Sequence, residues 1–186
     1  RHMDYGVQFN KLMYERLMQG GNITLFSPQD VPGLYESFFN DQDKFRELYE
    51  QAERKTSIRK KSVPAIDLFS SFMNERKNTG RIYLMNVDHA NDHSSFDTSV
   101  APIKQSNLCC EITLPTKPLT SVHDEEGEIA LCTLSAINWG NIKSPEDFKK
   151  PCELAVRGLD ALLSYQNYPL IAAELATNNR RPLGVG

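Results

Sequence analysis

An apolar segment at residues 81–87 constrains the fold more than any other part of the chain. It begins directly after Gly80, reads Arg-Ile-Tyr-Leu-Met-Asn-Val, and is predicted to be a β-strand. Because most of its side chains are apolar, we expect the strand to be largely buried. A buried strand that follows helices along the chain favours an α/β protein.

Helices are predicted on both sides of this strand, because apolar residues recur there at helical spacing. The predicted helices cover residues 5–18, 41–53, 62–78 and 153–165. Gly80 is expected to end the third helix, and Ser144 with Pro145 to begin a helical segment. The other predicted elements are a long polar loop at 88–105, a second apolar strand at 128–137 and the start of a strand near 183. This order predicts an α/β fold with too few strands to close a sheet alone.

The bulk composition excludes several classes of function. A length of 186 residues fits one domain better than two, and a formal net charge of −3 offers no broad basic surface for nucleic acid. No apolar run approaches the roughly 20 residues of a membrane helix, and the first residues lack the apolar stretch of a signal peptide. The four cysteines have no CxxC spacing, which favours a reducing compartment. We therefore expect a cytoplasmic protein that binds neither nucleic acid nor membrane.

The run at residues 105–112 carries the clearest potential for chemistry. Since side chains two apart share a face of an extended segment, Asn107, Cys109 and Glu111 are expected to project together. They would offer a hydrogen-bonding amide, a redox-capable thiol and a general base to one small molecule. The residues alone leave two interpretations open, a buried structural thiol or an enclosed reactive site, although burying Asn and Glu without partners is costly. Cys110 would point the opposite way and pack.

Two other groups of reactive residues are less informative. Cys132 lies among apolar residues, where an inert buried thiol is the default, and a redox role would need a second cysteine that Cys109 could supply. His89 and His93 superficially resemble a metal site, but no third ligand has suitable spacing, so no metal is predicted. The phosphate-binding patterns GxGxxG and GxxxxGK(S/T) are absent from the sequence.

Six segments of the chain carry a family resemblance. The strongest are Ser-Asn-Leu-Cys-Cys-Glu-Ile at 106–112, Leu-Pro-Thr-Lys-Pro-Leu at 114–119 and Gly-Glu-Ile-Ala-Leu-Cys-Thr-Leu-Ser-Ala at 127–136, with support from 24–28, 30–35 and 79–83. Together they resemble the large (α) subunit of class I ribonucleotide reductase, and most closely its bacterial class Ia type. The order Asn-x-Cys-x-Glu followed by a later cysteine is highly specific, and it favours the reactive interpretation of Cys109.

The resemblance implies a ten-stranded α/β barrel made of two parallel five-stranded halves. A finger loop near residues 105–115 would thread its centre and carry Cys109. The chain would be a single segment of this catalytic barrel domain over residues 1–186, incomplete as a barrel and without the N-terminal ATP cone. It lacks an initiator Met and stops where a strand begins, so we expect it to be a piece of a longer subunit.

The resemblance also implies a role for each site residue. Cys109 would become a thiyl radical and remove the 3′ hydrogen of the ribose, while Glu111 would take the proton of the 3′-hydroxyl. Asn107 would hydrogen-bond the ribose hydroxyls, so that all three residues bind substrate. Cys132 would be one half of the dithiol that supplies the electrons. Cys110 departs from the family pattern, in which an aliphatic or polar residue is more usual.

The implied function is the reduction of ribonucleoside diphosphates to deoxyribonucleoside diphosphates for DNA synthesis. This segment is expected to bind no cofactor and no metal. The whole enzyme would receive its radical from a metal-containing small (β) subunit, its electrons from thioredoxin or glutaredoxin, and its control from nucleotide effectors. Arg81 and Tyr83, two apart on the predicted strand, would face the radical path. The segment alone is expected to have no turnover, since the remaining parts of the large subunit are required.

Two alternatives stay open. One is a different radical enzyme on the same barrel, such as a glycyl-radical or cobalamin-dependent reductase, which the matches at 26–35 and 114–119 disfavour. The other is a non-catalytic piece of a split or truncated subunit that acts only as an assembly partner. All four reactive residues are present, which argues against a non-catalytic piece. They are Asn107, Cys109, Glu111 and Cys132.

Overall fold

The computed structural model describes residues 3–186, which divide into two compact units. The first unit ends at Leu114, and the second runs from Pro115 to Gly186. Helices and strands are mixed in both units, which confirms the α/β prediction in its general form. No helix among residues 3–186 is long and apolar enough to cross a membrane.

The first unit is built, over its described residues, from four strands and five α-helices. In chain order they are β1 (Tyr5–Phe9), α1 (Lys11–Met18), β2 (Asn22–Phe26), α2 (Leu34–Asn40), α3 (Gln42–Arg54), β3 (Lys60–Pro64), α4 (Ala65–Thr79), β4 (Ile82–Asn86) and α5 (Val87–Asp92). β1 pairs with β4 in parallel, with Tyr5 opposite Ile82 and Phe9 opposite Asn86. β2 pairs with β3 in the antiparallel direction.

The predicted helix at 5–18 is wrong in its first half, where the chain forms β1, and right in its second half. Pairing with β4 satisfies the backbone of the first half, and Phe9 becomes fully buried against Phe69, with ring centroids 5.0 Å apart. Asn10 then starts α1, since its side-chain oxygen accepts a hydrogen bond from the Met13 amide. Apolar spacing within one segment cannot reveal a partner strand that lies far along the chain.

The predicted helix at 62–78 likewise begins later than expected. Residues 60–64 form β3 against β2, and α4 starts only after them. Gly80 ends α4 as predicted, with a left-handed φ of 66°, and its amide donates to the Arg76 carbonyl at 3.0 Å. The helix boundary is therefore decided at one end by strand pairing and at the other by glycine.

The apolar strand predicted at 81–87 is confirmed as β4, and the helix predicted at 41–53 is confirmed as α3. The loop predicted at 88–105 is wrong over its first residues, which belong to α5. In this polar helix Asp88 is buried, and it accepts a hydrogen bond from the Lys11 amide at 2.6 Å. A long-range bond of this kind satisfies a polar side chain that the sequence alone places in solvent.

The main apolar cluster of the first unit joins α1, α2 and α3. Its buried members are Leu12, Val31, Leu34, Phe45, Tyr49, Ala52 and Ile58. The Tyr49 hydroxyl donates to the Thr24 carbonyl at 2.8 Å and accepts from the Thr24 amide at 2.7 Å. Burial raises the pKa of Tyr49, so the phenol stays neutral and ties α3 to β2.

The second unit is smaller. Its strands and α-helices are β5 (Thr133–Ser135), α6 (Lys149–Tyr165), α7 (Ile171–Arg180) and β6 (Leu183–Val185). α6 confirms the helix predicted at 153–165, and a 3-10 helix precedes it where the Asp147 carboxylate accepts from the Ser144 amide at 3.0 Å. The strand predicted at 128–137 is reduced to β5, because β6 offers parallel partners to three residues only.

Three two-stranded sheets account for the strand pairing within residues 3–186. Two of them are parallel, β1 with β4 and β5 with β6, and the third is antiparallel. This part of the chain forms no closed barrel, so the expected ten-stranded barrel is not confirmed.

Replacing Tyr49 by Phe should lower the free energy of unfolding by about 1–2 kcal/mol, because the buried Thr24 amide loses its acceptor. Urea unfolding of the chain, followed by circular dichroism, measures the change. Tyr35→Phe is the matched control, since Tyr35 is 51% exposed and its ring contact with Phe39 needs no hydroxyl. Equal unfolding midpoints for the two variants would contradict this role of Tyr49.

Candidate active site

The loop that carries the predicted site starts from a rigid base. Asn91 of α5 donates to the Ile103 carbonyl at 2.9 Å and accepts from the Ile103 amide at 2.8 Å. Ile103 itself is fully buried. One residue further on, the Gln8 side chain of β1 donates to the Lys104 carbonyl at 2.7 Å. The start of the loop is therefore held by both α5 and β1.

Residues 106–112 form a tight turn, not an extended segment. The Cys110 amide donates to the Asn107 carbonyl at 3.1 Å, and Cys110 has a left-handed φ of 61°. The Ser106 hydroxyl donates to the Ile112 carbonyl at 2.6 Å, and the Asn107 side-chain oxygen accepts from the Ile112 amide at 3.1 Å. The expected extended row is wrong, because local side-chain hydrogen bonds give the backbone an alternative to a strand.

The turn nevertheless brings two predicted site residues together. The Asn107 side chain donates to a Glu111 carboxylate oxygen at 2.5 Å. Asn107, Glu111 and Cys109 are all exposed, so a ligand can reach each of them. A carboxylate that is oriented by one amide and open on its other side has the access that a general base needs.

Cys109 has a partner on β4. Cys109 interacts electrostatically with Tyr83, which lies on β4. The charge of ionised Cys109 raises the pKa of Tyr83, burial and Asp4 act in the same direction, and Arg76 opposes them. Tyr83 is therefore a neutral phenol and a hydrogen-bond donor at neutral pH.

Cys110 differs from its neighbour in exposure and surroundings. It is half-buried, whereas Cys109 is exposed. Burial raises the pKa of Cys110, the charges of Glu111 and Cys109 add to this effect, and Arg76 opposes it. The Cys110 thiol therefore stays protonated at neutral pH, which lowers its reactivity.

A cavity of about 370 Å³ lies between the β1–β4 sheet and the turn. Its lining includes Gly6, Gln8 and Met85 from the sheet and Asn107 and Cys110 from the turn. Gly6 has open space where a side chain would stand, so the glycine keeps this side of the cavity clear. The volume lies in the range of small-molecule sites.

Cys132 belongs to the second unit. It is half-buried, and its sulfur is 3.8 Å from the position that a Cβ on Gly184 would take. Its redox role stays a prediction. In the first unit, His89 lies on α5 and His93 directly follows that helix, with ring centroids 6.1 Å apart. Over residues 3–186, no group of three or more His, Cys, Asp or Glu side chains could hold a metal ion.

Sequence reasoning missed Gln8 and Asn91, which hold the base of the loop. Neither residue has a local signal, since each bonds a backbone group far along the chain. The residues by themselves predicted an extended row, whereas the family resemblance implied a loop at this position. Ser106 and Asn107 are residue types that favour turns through bonds from side chain to backbone. That signal was present in the sequence.

The family model for the ribonucleotide reductase barrel domain matches residues 1–186. The chain belongs to this family. It is 62% identical over 186 residues to ribonucleoside-diphosphate reductase subunit alpha of Haemophilus influenzae. It is 61% identical to ribonucleoside-diphosphate reductase 1 subunit alpha of Escherichia coli and 50% identical to ribonucleoside-diphosphate reductase subunit alpha of Enterobacteria phage T4.

Each of these matches covers all of this chain, and the chain spans about a quarter of the length of these relatives. The resemblance stated from the sequence motifs is therefore confirmed at the level of the family. Membership covers the turn at residues 106–112 and the segment that holds Cys132, since the family match runs from end to end.

Replacing Asn107 by Ala should loosen the turn, because the Ile112 amide and the Glu111 carboxylate each lose a partner. Exchange of the Ile112 amide with solvent deuterium should become about 3- to 10-fold faster, as expected for one lost hydrogen bond. Nuclear magnetic resonance resolves this amide. Asn138→Ala is the control, since Asn138 accepts a local bond from Gly140 in the second unit. An unchanged exchange rate at Ile112 would show that Asn107 does not hold the turn.

Proposed function

We propose that this chain is the central part of the large subunit of a ribonucleoside-diphosphate reductase. The complete enzyme reduces ribonucleoside diphosphates to deoxyribonucleoside diphosphates by a thiyl-radical mechanism. One observation carries the proposal: within a chain that matches the reductase barrel domain along its length, one turn joins an amide–carboxylate pair to an exposed thiol. The relatives at 62% and 50% identity bear the name of this enzyme, which supports the same conclusion.

In the first step, a Cys109 thiyl radical removes the 3′ hydrogen of the ribose, so that an S–H bond forms as the C–H bond breaks. Glu111 accepts the proton of the 3′-hydroxyl. Its carboxylate is suited to this role because the Asn107 amide orients one oxygen while the side chain stays exposed. The second N–H of that amide is available to a ribose hydroxyl.

In the second step, the 2′-hydroxyl leaves as water after it takes a proton from a thiol. Two thiols supply two electrons and two protons as they become a disulfide. One proton leaves with the 2′-hydroxyl as water, the other goes to the 2′ carbon, and Glu111 returns its proton to the 3′ oxygen. Cys132 is proposed as one of these two thiols. Cys109 then returns its hydrogen atom to the 3′ carbon, which restores the thiyl radical. The second thiol of the pair would come from another part of the large subunit.

The surroundings of the site belong to the same proposal. The chain is a segment of a ten-stranded α/β barrel, and its finger loop covers residues 105–115. The parallel pairs β1–β4 and β5–β6 support a barrel of parallel strands. A separate metal-containing small subunit supplies the radical, thioredoxin or glutaredoxin reduces the disulfide, and nucleotide effectors act elsewhere on the large subunit. The assembly would work in the cytoplasm.

Replacing Cys109 by Ser in the complete large subunit should abolish the reduction, because serine has no sulfur to carry the radical. The assay follows labelled cytidine diphosphate to its deoxy product with the small subunit present. Cys152→Ser is the control, since Cys152 is a half-buried thiol on α6 outside the proposed site. Activity retained by the Cys109 variant would refute the assignment. An inactive wild-type assembly whose subunits associate would instead favour a role in assembly only.

Replacing Glu111 by Gln should lower kcat by about 10²- to 10⁴-fold, the usual contribution of a general base. Glutamine keeps an oxygen for the Asn107 amide, so the turn should persist while the base is lost. Glu125→Gln, in an exposed acidic turn of the second unit, is the matched control. The same nucleotide assay measures both variants, and a kcat within about twofold of the wild type would exclude Glu111 as the base.

A further inference from the structure

The side chain of Gln8 joins the β1–β4 sheet to the loop that carries the candidate site. Its amide nitrogen donates to the Lys104 carbonyl at 2.7 Å and to the Met85 sulfur at 3.5 Å. Met85 stands directly opposite Gln8 in the parallel pair, so both side chains lie on the same face of the sheet. Because the amide nitrogen carries two hydrogens, each acceptor takes one of them, and the direction of the group is fixed.

The turn at residues 106–112 is closed by hydrogen bonds made within it. The Ser106 hydroxyl donates to the Ile112 carbonyl at 2.6 Å. The Asn107 side chain accepts from the Ile112 amide at 3.1 Å and donates to the Glu111 carboxylate. The residues of the turn therefore keep their mutual positions when the turn is displaced as a whole.

The link between the sheet and this closed turn is short. Gln8 holds the Lys104 carbonyl, and the turn begins at Ser106. One residue, Gln105, separates the two points. Since a single residue has only two soft backbone dihedrals, it can absorb little of a displacement. A shift of the Lys104 carbonyl is therefore passed on to the turn.

Gln8 and the turn also face the same cavity. This space of about 370 Å³ is lined by Gln8 and Met85 on the sheet and by Asn107 and Cys110 on the turn. Because the cavity separates the sheet from the turn, side-chain packing does not fix the height of the turn there. The hydrogen bond from Gln8 spans the gap beside the cavity and sets this height.

We propose that Gln8 is a positioning residue for the reaction: by holding the Lys104 carbonyl, it sets the distance between the sheet and the turn that carries Cys109 and Glu111. This inference rests on the proposed function, in which Cys109 carries the radical and Glu111 is the base. Gln8 acts through the backbone of the loop and not on the substrate.

The height of the turn matters because Cys109 and Glu111 have to reach one ribose at the same time. The sulfur must approach the 3′ hydrogen while the carboxylate approaches the 3′-hydroxyl. A misplacement of about 1 Å can cost about 10²-fold in rate. Without the bond from Gln8, the turn would occupy positions in which both groups are too far from the sugar. The step that slows is the transfer of the 3′ hydrogen to sulfur.

The first test is turnover by the complete large subunit with the small subunit, using Gln8→Met. Methionine keeps the length of the side chain and removes both N–H donors. We expect kcat for cytidine diphosphate to fall about 3- to 10-fold, as for one lost hydrogen bond. The isotope effect on kcat with cytidine diphosphate deuterated at the 3′ carbon should rise, since hydrogen transfer becomes slower. Gln51→Met is the matched control on α3, where the Gln51 amide donates to Glu47 at 2.9 Å, and it should leave both quantities unchanged.

The second test does not depend on turnover. Hydrogen–deuterium exchange, measured by mass spectrometry with fragmentation, follows single amides in the complete large subunit alone. The Ile103 amide donates to Asn91 one residue before Lys104, so its exchange should become about 3- to 10-fold faster in Gln8→Met. The Ile112 amide should keep its rate, because the bonds that close the turn remain.

The outcomes separate the two proposals. An unchanged kcat in Gln8→Met would overturn the positioning role, and so would a lower kcat with the wild-type isotope effect, since hydrogen transfer would then not be the step affected. Wild-type exchange at Ile103 would show that Gln8 does not hold the loop. Faster exchange at Ile112 would show that the turn opens, which also contradicts the proposal. If Cys109→Ser keeps its activity, the proposed function fails, while the exchange rates still decide whether Gln8 holds the loop.

A second variant covers the case in which Gln8→Met does not fold. Gln8→Glu keeps the shape of the side chain and presents a carboxylate, which has no donor for the Lys104 carbonyl, at neutral pH. The lower kcat, the larger isotope effect and the faster Ile103 exchange are expected here as well. Wild-type values of all three would overturn the role of Gln8.

Discussion

The parallel pairing of β1 with β4 is the constraint on which the candidate site depends. It brings the start of the described chain beside the strand that follows α4, and its register puts Gln8 and Tyr83 on one face. A shift of β1 by one residue would turn Gln8 to the other face, and the loop would lose the hydrogen bond from Gln8 to the Lys104 carbonyl. The fully buried Phe9, stacked on Phe69 on the other face, opposes such a shift.

On this base, local hydrogen bonds shape the site itself. The Asn107 side chain accepts from the Ile112 amide and donates to the Glu111 carboxylate, so one residue both closes the turn and orients the candidate base. Cys110 takes the left-handed conformation that the turn requires, at an energetic cost that glycine would not have. The Cys109 thiol next to it stays exposed. The chemistry of the site thus depends on short-range bonds placed by a long-range strand pair.

The elements that could be predicted are those with a strong local signal. The continuous apolar run of β4 and the amphipathic pattern of α3 each carry their own evidence, and Gly80 marks a helix end through its left-handed backbone. The helix predictions were wrong where they covered residues 5–9 and 62–64, because these residues form strands only through pairing with partners elsewhere in the chain. The strand predicted at 128–137 was too long, since its apolar run extends beyond the three residues that pair with β6.

Sequence alone indicated the family, which the match to the barrel domain confirms. It also predicted the composition of the site, because Asn107, Cys109 and Glu111 stand in an order that is specific in itself. It did not establish their arrangement, since alternation along a strand and closure of a turn both put Asn107 and Glu111 together. Only the tertiary structure decided that Gln8 and Asn91 hold the loop. These contacts join residues far apart in the chain, and their free energies depend on a strand register that no local pattern encodes.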